Sequence, residues 1–306
     1  MYRYHSHISS QYGNGIVGSI VINGPASANY DIDLGVFPIT DWYLSPIDQL
    51  FSRVNDPGNP FIPGQPGSPP TSDNMLFNGT NINPTGPGGY YGEVVLTKGL
   101  THRVRLINPS ADTSFTVSIA GHKMTIIQTD FVPIVPTTVD SIFMSIGQRY
   151  DILLEANADS SSYWLNVTFS SALVCGGSNN PHPAGIVRYS DAPDWIPADP
   201  GTPPVDSFCA DSNAFTPVVS HEAPSTEFQV SQNNTLSVSL QPDTAAHQVL
   251  WTVNSSAIDL YWDAPTLQYV LNGNTSFMQR QNIIDIPNAK EVRRNFNQSL
   301  ERIQDS

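Results

Sequence analysis

Proline and glycine punctuate this chain into short runs, and that punctuation favours strands over long helices. Its 26 prolines and 21 glycines supply turns and interrupt helical hydrogen bonding, because proline lacks a backbone donor and glycine favours turn geometry. Between the interruptions, apolar residues recur with period two. In Arg103-Val104-Arg105-Leu106 the pair Val104 and Leu106 shares one face, and Tyr150-Asp151-Ile152-Leu153-Leu154 is a second such stretch. Further strands are expected at Glu93–Leu96, Phe115–Ile119, Met124–Gln128, Tyr163–Phe169, Gly185–Tyr189, Leu250–Val253 and Gln268–Leu271. The expected class is all-β, built from sandwiches of short strands.

The 306 residues could hold two domains of ordinary size. With 13 basic against 27 acidic residues the net charge is −14, which argues against nucleic acid or an anionic membrane as partner. No apolar run approaches the ~18 residues that a membrane span requires. An acidic surface by itself specifies no substrate.

One short motif carries metal chemistry. In Tyr4-His5-Ser6-His7 the two histidines stand two apart, so on an extended strand both imidazoles point to one face. Neutral imidazole suits copper, zinc or iron. The motif continues through Gln11, Tyr12-Gly13-Asn14-Gly15, Gly18-Ser19-Ile20 and Ile22-Asn23-Gly24-Pro25-Ala26. Beyond it come Tyr30-Asp31-Ile32-Asp33-Leu34, Pro38-Ile39-Thr40-Asp41-Trp42-Tyr43, Asp140-Ser141, Gly147-Gln148-Arg149-Tyr150-Asp151 and Cys175-Gly176-Gly177-Ser178. Together these segments resemble the multicopper oxidases, most closely the laccases of filamentous fungi, over residues 2 to 286.

That resemblance implies cupredoxin-like Greek-key β-sandwiches. Residues 1–24 would be the end of a first domain, 25–217 a complete second domain, and 218–306 the truncated start of a third. The central domain would then carry most of the stability. A long surface loop is expected at 56–70. From about residue 287 the sequence departs from the resemblance, and Val292, Phe296, Leu300 and Ile303 have helical spacing.

The resemblance also implies four coppers, held by ten histidines and one cysteine in four motifs. This chain carries one of those motifs, in which His5 and His7 would each ligate one copper of the type 3 pair. Five other histidines stand outside any ligand motif. His102 alternates with Val104 and Leu106, so it reads as a core residue, and His122 follows Gly121 in a turn. His182, His221 and His247 carry no metal signal. A type 1 copper needs a thiolate, yet Cys175 and Cys209 are the two cysteines present, and the resemblance pairs them in a disulfide. The chain as printed is therefore expected to be a fragment without oxidase activity of its own. Arg3 also stands where the family usually has tryptophan, and no signal peptide precedes the motif.

On the substrate side, the resemblance places a carboxylate after the Arg-X-Arg strand, where it accepts the proton of a phenol undergoing oxidation. Asp112 holds that position. Val174 would line the same pocket, and Ser68 and Pro69 another wall. The acidic pair Asp31 and Asp33 reads as solvated strand residues. The expected partners are a phenol and dioxygen, with a monomeric, secreted parent enzyme and a role in lignin degradation. Sequons at Asn78, Asn166, Asn233, Asn254, Asn274 and Asn297 fit a secreted glycoprotein. Rival readings are a ferroxidase-like relative, a non-catalytic cupredoxin scaffold, and a weak metal-binding module using His5 and His7 alone.

Overall fold

The computed structural model describes residues 2–54, 56, 69–172, 175–212, 215–220, 235–243, 248–283 and 295–298. The chain divides into two compact units, residues 1–51 with 69–220, and residues 52–68 with 221–306.

In the first unit, β1 (Tyr2–His5) and β2 (Val17–Ile20) form an antiparallel pair with His5 opposite Val17. A six-stranded sheet runs in the order β4 (Asn74–Phe77), β3 (Ile32–Trp42), β6 (Thr101–Ile107), β11 (Arg149–Glu155), β8 (Met124–Thr129), β9 (Val132–Val139). A five-stranded sheet runs β10 (Ser141–Met144), β7 (Phe115–Ile119), β12 (Ser162–Thr168), β13 (Ala184–Tyr189), β5 (Glu93–Leu96). Pairing is antiparallel except for β3 with β6 and β13 with β5. Consecutive strands β6 and β7 belong to different sheets, so the loop 108–114 between them joins the two layers.

Both sheets contribute to one apolar cluster. Ile39, Phe77, Leu106, Met124 and Ile126 come from the first sheet, and Leu96, Phe115, Val117, Leu165 and Tyr189 from the second. Each such side chain stabilises the fold by roughly 1.5–3 kcal/mol through burial.

The period-two pattern of β6 holds, but its polar face is buried as well. Arg103 and Arg105 are 6% and 4% exposed. Arg103 Nε donates to Asp151 Oδ2 at 3.1 Å, and Arg105 Nη2 donates to Asp33 Oδ2 at 2.6 Å. Arg105 Nε also lies 3.6 Å from Asp151 Oδ2. The reading of Asp31 and Asp33 as solvated residues holds, since both are exposed, and each also makes a specific contact. The Arg105 guanidinium holds the Asp33 carboxyl below its ordinary value, and Asp31 Oδ2 accepts the Thr101 N–H at 2.8 Å.

A helix, α1 (Ile47–Val54), interrupts the strands, with Asp48 in its first turn and Arg53 in its last, each suited to the helix dipole. Asn14 caps it from a distance, its Oδ1 accepting the Ile47 N–H at 2.7 Å.

In the second unit, β14 (Thr235–Asp243) pairs antiparallel with β15 (Gln248–Val253) and parallel with β16 (Asn295–Gln298). Two expectations fail here. Gln268–Leu271 lies in a helix, α2 (Thr266–Leu271), preceded by Pro265 and followed by Gly273 at φ +68°. Those residues are start and stop signals for a short helix, and they outweigh the β-branched and aromatic content between them. Phe296, expected on a helical stripe, stands in β16; Val292, Leu300 and Ile303 lie outside the described residues. Most of the expected 56–70 loop does too.

The Arg103–Asp151–Arg105 cluster generates a stability prediction. Asp151→Ala leaves two buried guanidinium groups short of their shared partner, so unfolding free energy should fall by about 3–5 kcal/mol. Urea unfolding of the two chains measures it.

Candidate functional site

The backbone of the loop that carries Asp112 is fixed by buried polar groups on both sides of that residue. Asn108, fully buried, donates through Nδ2 to the carbonyls of Thr113 and Met144 at 3.0 Å each, and its Oδ1 accepts the Ser110 N–H at 3.0 Å. Ser110 Oγ accepts the Asp41 N–H at 3.0 Å. Asp41, 7% exposed at the end of β3, accepts three successive backbone donors. Ala111 N–H reaches its Oδ1 at 2.8 Å, while Asp112 and Thr113 N–H reach its Oδ2 at 2.9 and 3.1 Å. Polar groups buried this deeply are tolerated because each finds a partner.

Two further segments close on this loop. Ser114 N–H donates to the Cys175 carbonyl at 2.8 Å, and Cys175 is joined to Cys209 by the expected disulfide, with Cα atoms 6.1 Å apart. Closing a loop of 34 residues restricts the unfolded chain by about 3–4 kcal/mol in the chain-entropy account. The next residue, Gly176, has φ +74°. A Cβ there would stand 3.0 Å from Thr113 Cα and 3.1 Å from Asp112 Oδ2, so both backbone conformation and close approach require glycine. On the other side the Tyr12 hydroxyl donates to the Ala111 carbonyl at 2.9 Å.

Asp112 is half-buried, and burial pushes its carboxyl up to about 6, with the negative charge of Asp41 adding to the shift. Asp41 is itself raised by burial, and its three backbone hydrogen bonds pull the other way. The Tyr43 hydroxyl, buried beside these two acids, has no hydrogen-bond partner among the described residues. Burial, then Asp41 and Asp112, push its phenol well above the ordinary range.

The histidine motif lies on the same unit. The strand ends at His5, two residues short of His7, yet the two rings still stack with centroids 4.5 Å apart. His5 Nδ1 is 3.0 Å from the Ser6 carbonyl; a carbonyl can only accept, so the proton sits on Nδ1 and Nε2 keeps its lone pair. The Tyr12 ring lies 5.4 Å from His5, which makes Tyr12 a physical link between the histidine segment and the Asp112 loop. Among the described residues no group of three His, Cys, Asp or Glu converges to hold a metal, and both cysteines are consumed in the disulfide.

The other histidines behave as structural residues. His102 is fully buried, with Nε2 accepting the Thr97 N–H at 3.0 Å and Nδ1 without a partner. His122 contacts the Ala120 carbonyl and the Tyr189 hydroxyl at 2.9 and 3.0 Å. His182 Nε2 is 3.2 Å from Asn166 Oδ1. His221 and His247 lie outside the described residues, as do Ser68 and Val174. Pro69 is half-buried. Asp41, Tyr43 and Tyr12 went unread as site residues. They stand 71, 69 and 100 positions from Asp112, and only the fold brings them there.

Comparison with known proteins places these features in context. Residues 33–192 match the profile of the multicopper oxidases. Laccase-1 of Melanocarpus albomyces is 47% identical over 283 residues, which is 92% of this chain and 44% of that protein. The chain thus spans less than half the length of this relative. Among solved structures, the laccase of Botrytis aclada superposes with a TM-score of 0.77 at 33% identity, covering 91% of this chain and 50% of that one. Fet3p, described as a multicopper oxidase that functions in iron import, gives 0.69 at 19% identity, covering 88% and 47%; that likeness shows the fold alone. With these neighbours the sandwich is of the cupredoxin-like, Greek-key kind.

The buried acid pair has a pH signature. A carboxyl whose folded value is raised costs nothing below its unfolded value; the cost grows as pH rises from the unfolded to the folded value and is complete above the latter. Asp112→Asn should therefore stabilise the chain near pH 7, by up to about 3 kcal/mol, and give no gain below about pH 4. Urea unfolding across that range checks it; an equal effect at both ends contradicts it.

Proposed function

This chain belongs to the multicopper oxidase family, and on that footing we propose that it is part of a laccase-type phenol oxidase in which Asp112 serves the substrate. The observation that carries the reading is a half-buried carboxylate of raised basicity on a loop whose backbone is held at residues 111–113. A phenol is hard to oxidise while it keeps its proton. A carboxylate that accepts this proton as the electron leaves lowers the barrier, and a pKa near 6 makes it a stronger base than an ordinary aspartate while leaving it ionised at neutral pH. Val174, Ser68 and Pro69 are proposed as apolar and polar walls around the bound ring.

Copper is the metal of the family. His5 and His7 are proposed as two of the type 3 ligands, with Nε2 of His5 already directed by the Ser6 contact; the remaining ligands are not in this sequence. When bound, copper supplies one-electron oxidation of phenol coupled to reduction of dioxygen, and no step of that chemistry is assigned to this chain. The proposed partners of the longer enzyme are phenols, those of lignin included, and dioxygen.

The same reading takes residues 1–24, 25–217 and 218–306 as parts of three cupredoxin domains of a secreted, monomeric glycoprotein. Asn78, Asn254 and Asn274 are exposed, which supports them as glycan acceptors. Asn166 is half-buried and donates to the Pro200 carbonyl at 2.9 Å. Asn233 lies outside the described residues, and Asn297 falls in β16.

A second reading, a non-catalytic scaffold, is favoured by one observation: two imidazoles with no third ligand converging on them among the described residues. The ferroxidase reading is disfavoured. Asp41, the acid nearest Asp112, spends its oxygens on three backbone donors, which leaves it unsuited to a metal ion.

The test uses a chain extended to carry the three other copper motifs. Asp112→Asn should lower kcat for phenols about 10²-fold with copper content unchanged. Equal rates would remove Asp112 from the reaction.

A further inference from the structure

We propose that Asp41 is the positioning residue of this site: its buried carboxyl gathers the backbone of the Asp112 loop and sets a second acidic group behind Asp112. The inference rests on the phenol reading for its functional meaning, but its geometry is independent of substrate. Three consecutive N–H groups, those of Ala111, Asp112 and Thr113, converge on one side chain at 2.8–3.1 Å. Consecutive amides seldom aim at one point, and they do so around an anion because each N–H is a partial positive charge. Asp41 is itself anchored, since its own N–H is taken by Ser110 Oγ two residues before the acid it serves.

The effect on Asp112 has a definite sign. An anion beside a half-buried carboxyl disfavours its ionisation, and burial of Asp112 works in the same direction. Asp112 also faces the phenols of Tyr12, from the segment after β1, and of Tyr43, directly after β3. Arg3 and Asp73 act one group further out, on Tyr12 and Tyr43 respectively. The basicity that suits Asp112 to accept a phenol proton is in this account partly the property of another residue, one that never touches substrate. A merely structural Asp41 would fix the loop and leave the acidity of Asp112 to burial.

The experiment is a carbon-13 carboxyl titration by NMR on the full chain without phenol, with Asp112 assigned by its loss in Asp112→Asn. In Asp41→Asn the Asp112 midpoint should fall by about half a pH unit or more. Hydrogen exchange at residues 111–113 should quicken about tenfold or more, since an amide side chain cannot accept all three donors. An unmoved Asp112 midpoint in a folded Asp41→Asn chain overturns the proposal. The unsubstituted chain gives a second measurement in case that variant does not fold. The amide protons of 111–113 should move together with the Asp41 titration and with a midpoint other than that of Asp112. Three unrelated midpoints overturn it equally. Because no phenol is present, failure of the phenol reading leaves these results untouched.

Discussion

Strand β6 is buried on both faces, and the rest of the first unit is organised around that fact. Its apolar face, Val104 and Leu106, meets the second sheet, while its charged face encloses Arg103 and Arg105 with Asp151 and Asp33. Buried charges of this kind are not a large net source of stability, because desolvation offsets much of the attraction. What they do is fix register. Shifting β6 by one residue against β3 or β11 would place guanidinium groups in the core and valine among carboxylates. With the strand held in place, its continuation, the loop 108–114, is held as well.

That continuity explains why the Asp112 carboxylate can stand on a loop and still be precisely placed. The loop is tied to β3 through Asp41, to β10 through the Met144 carbonyl, to the disulfide segment through Cys175, and to the histidine segment through Tyr12. Each tie is a polar group that pays its own burial by pairing, and each comes from a different part of the sequence. Four separate stretches of sequence thus converge on the backbone of one short loop.

Much of the sandwich was legible in the sequence. Glu93–Leu96 and Phe115–Ile119 are strands at the expected bounds, because short alternating runs between turn residues have few other uses. The failures were local. Gln268–Leu271 looks like a strand by residue type, yet Pro265 and Gly273 frame it as a helical turn. Asp33 is exposed as read, but its pairing with Arg105, 72 residues away, was hidden. The same blindness hid Asp41 and Tyr43. A carboxylate that binds backbone amides leaves no pattern of its own, since its partners are N–H groups that every non-proline residue has.

The central claim is that this chain supplies the substrate carboxylate and two imidazoles but no complete copper centre. Copper stoichiometry and visible absorbance of the chain after incubation with copper(II) and mild chelation test it most directly. The account predicts no blue thiolate-to-copper band and no retained equivalent of metal. One tightly held copper per chain with a blue band would contradict it.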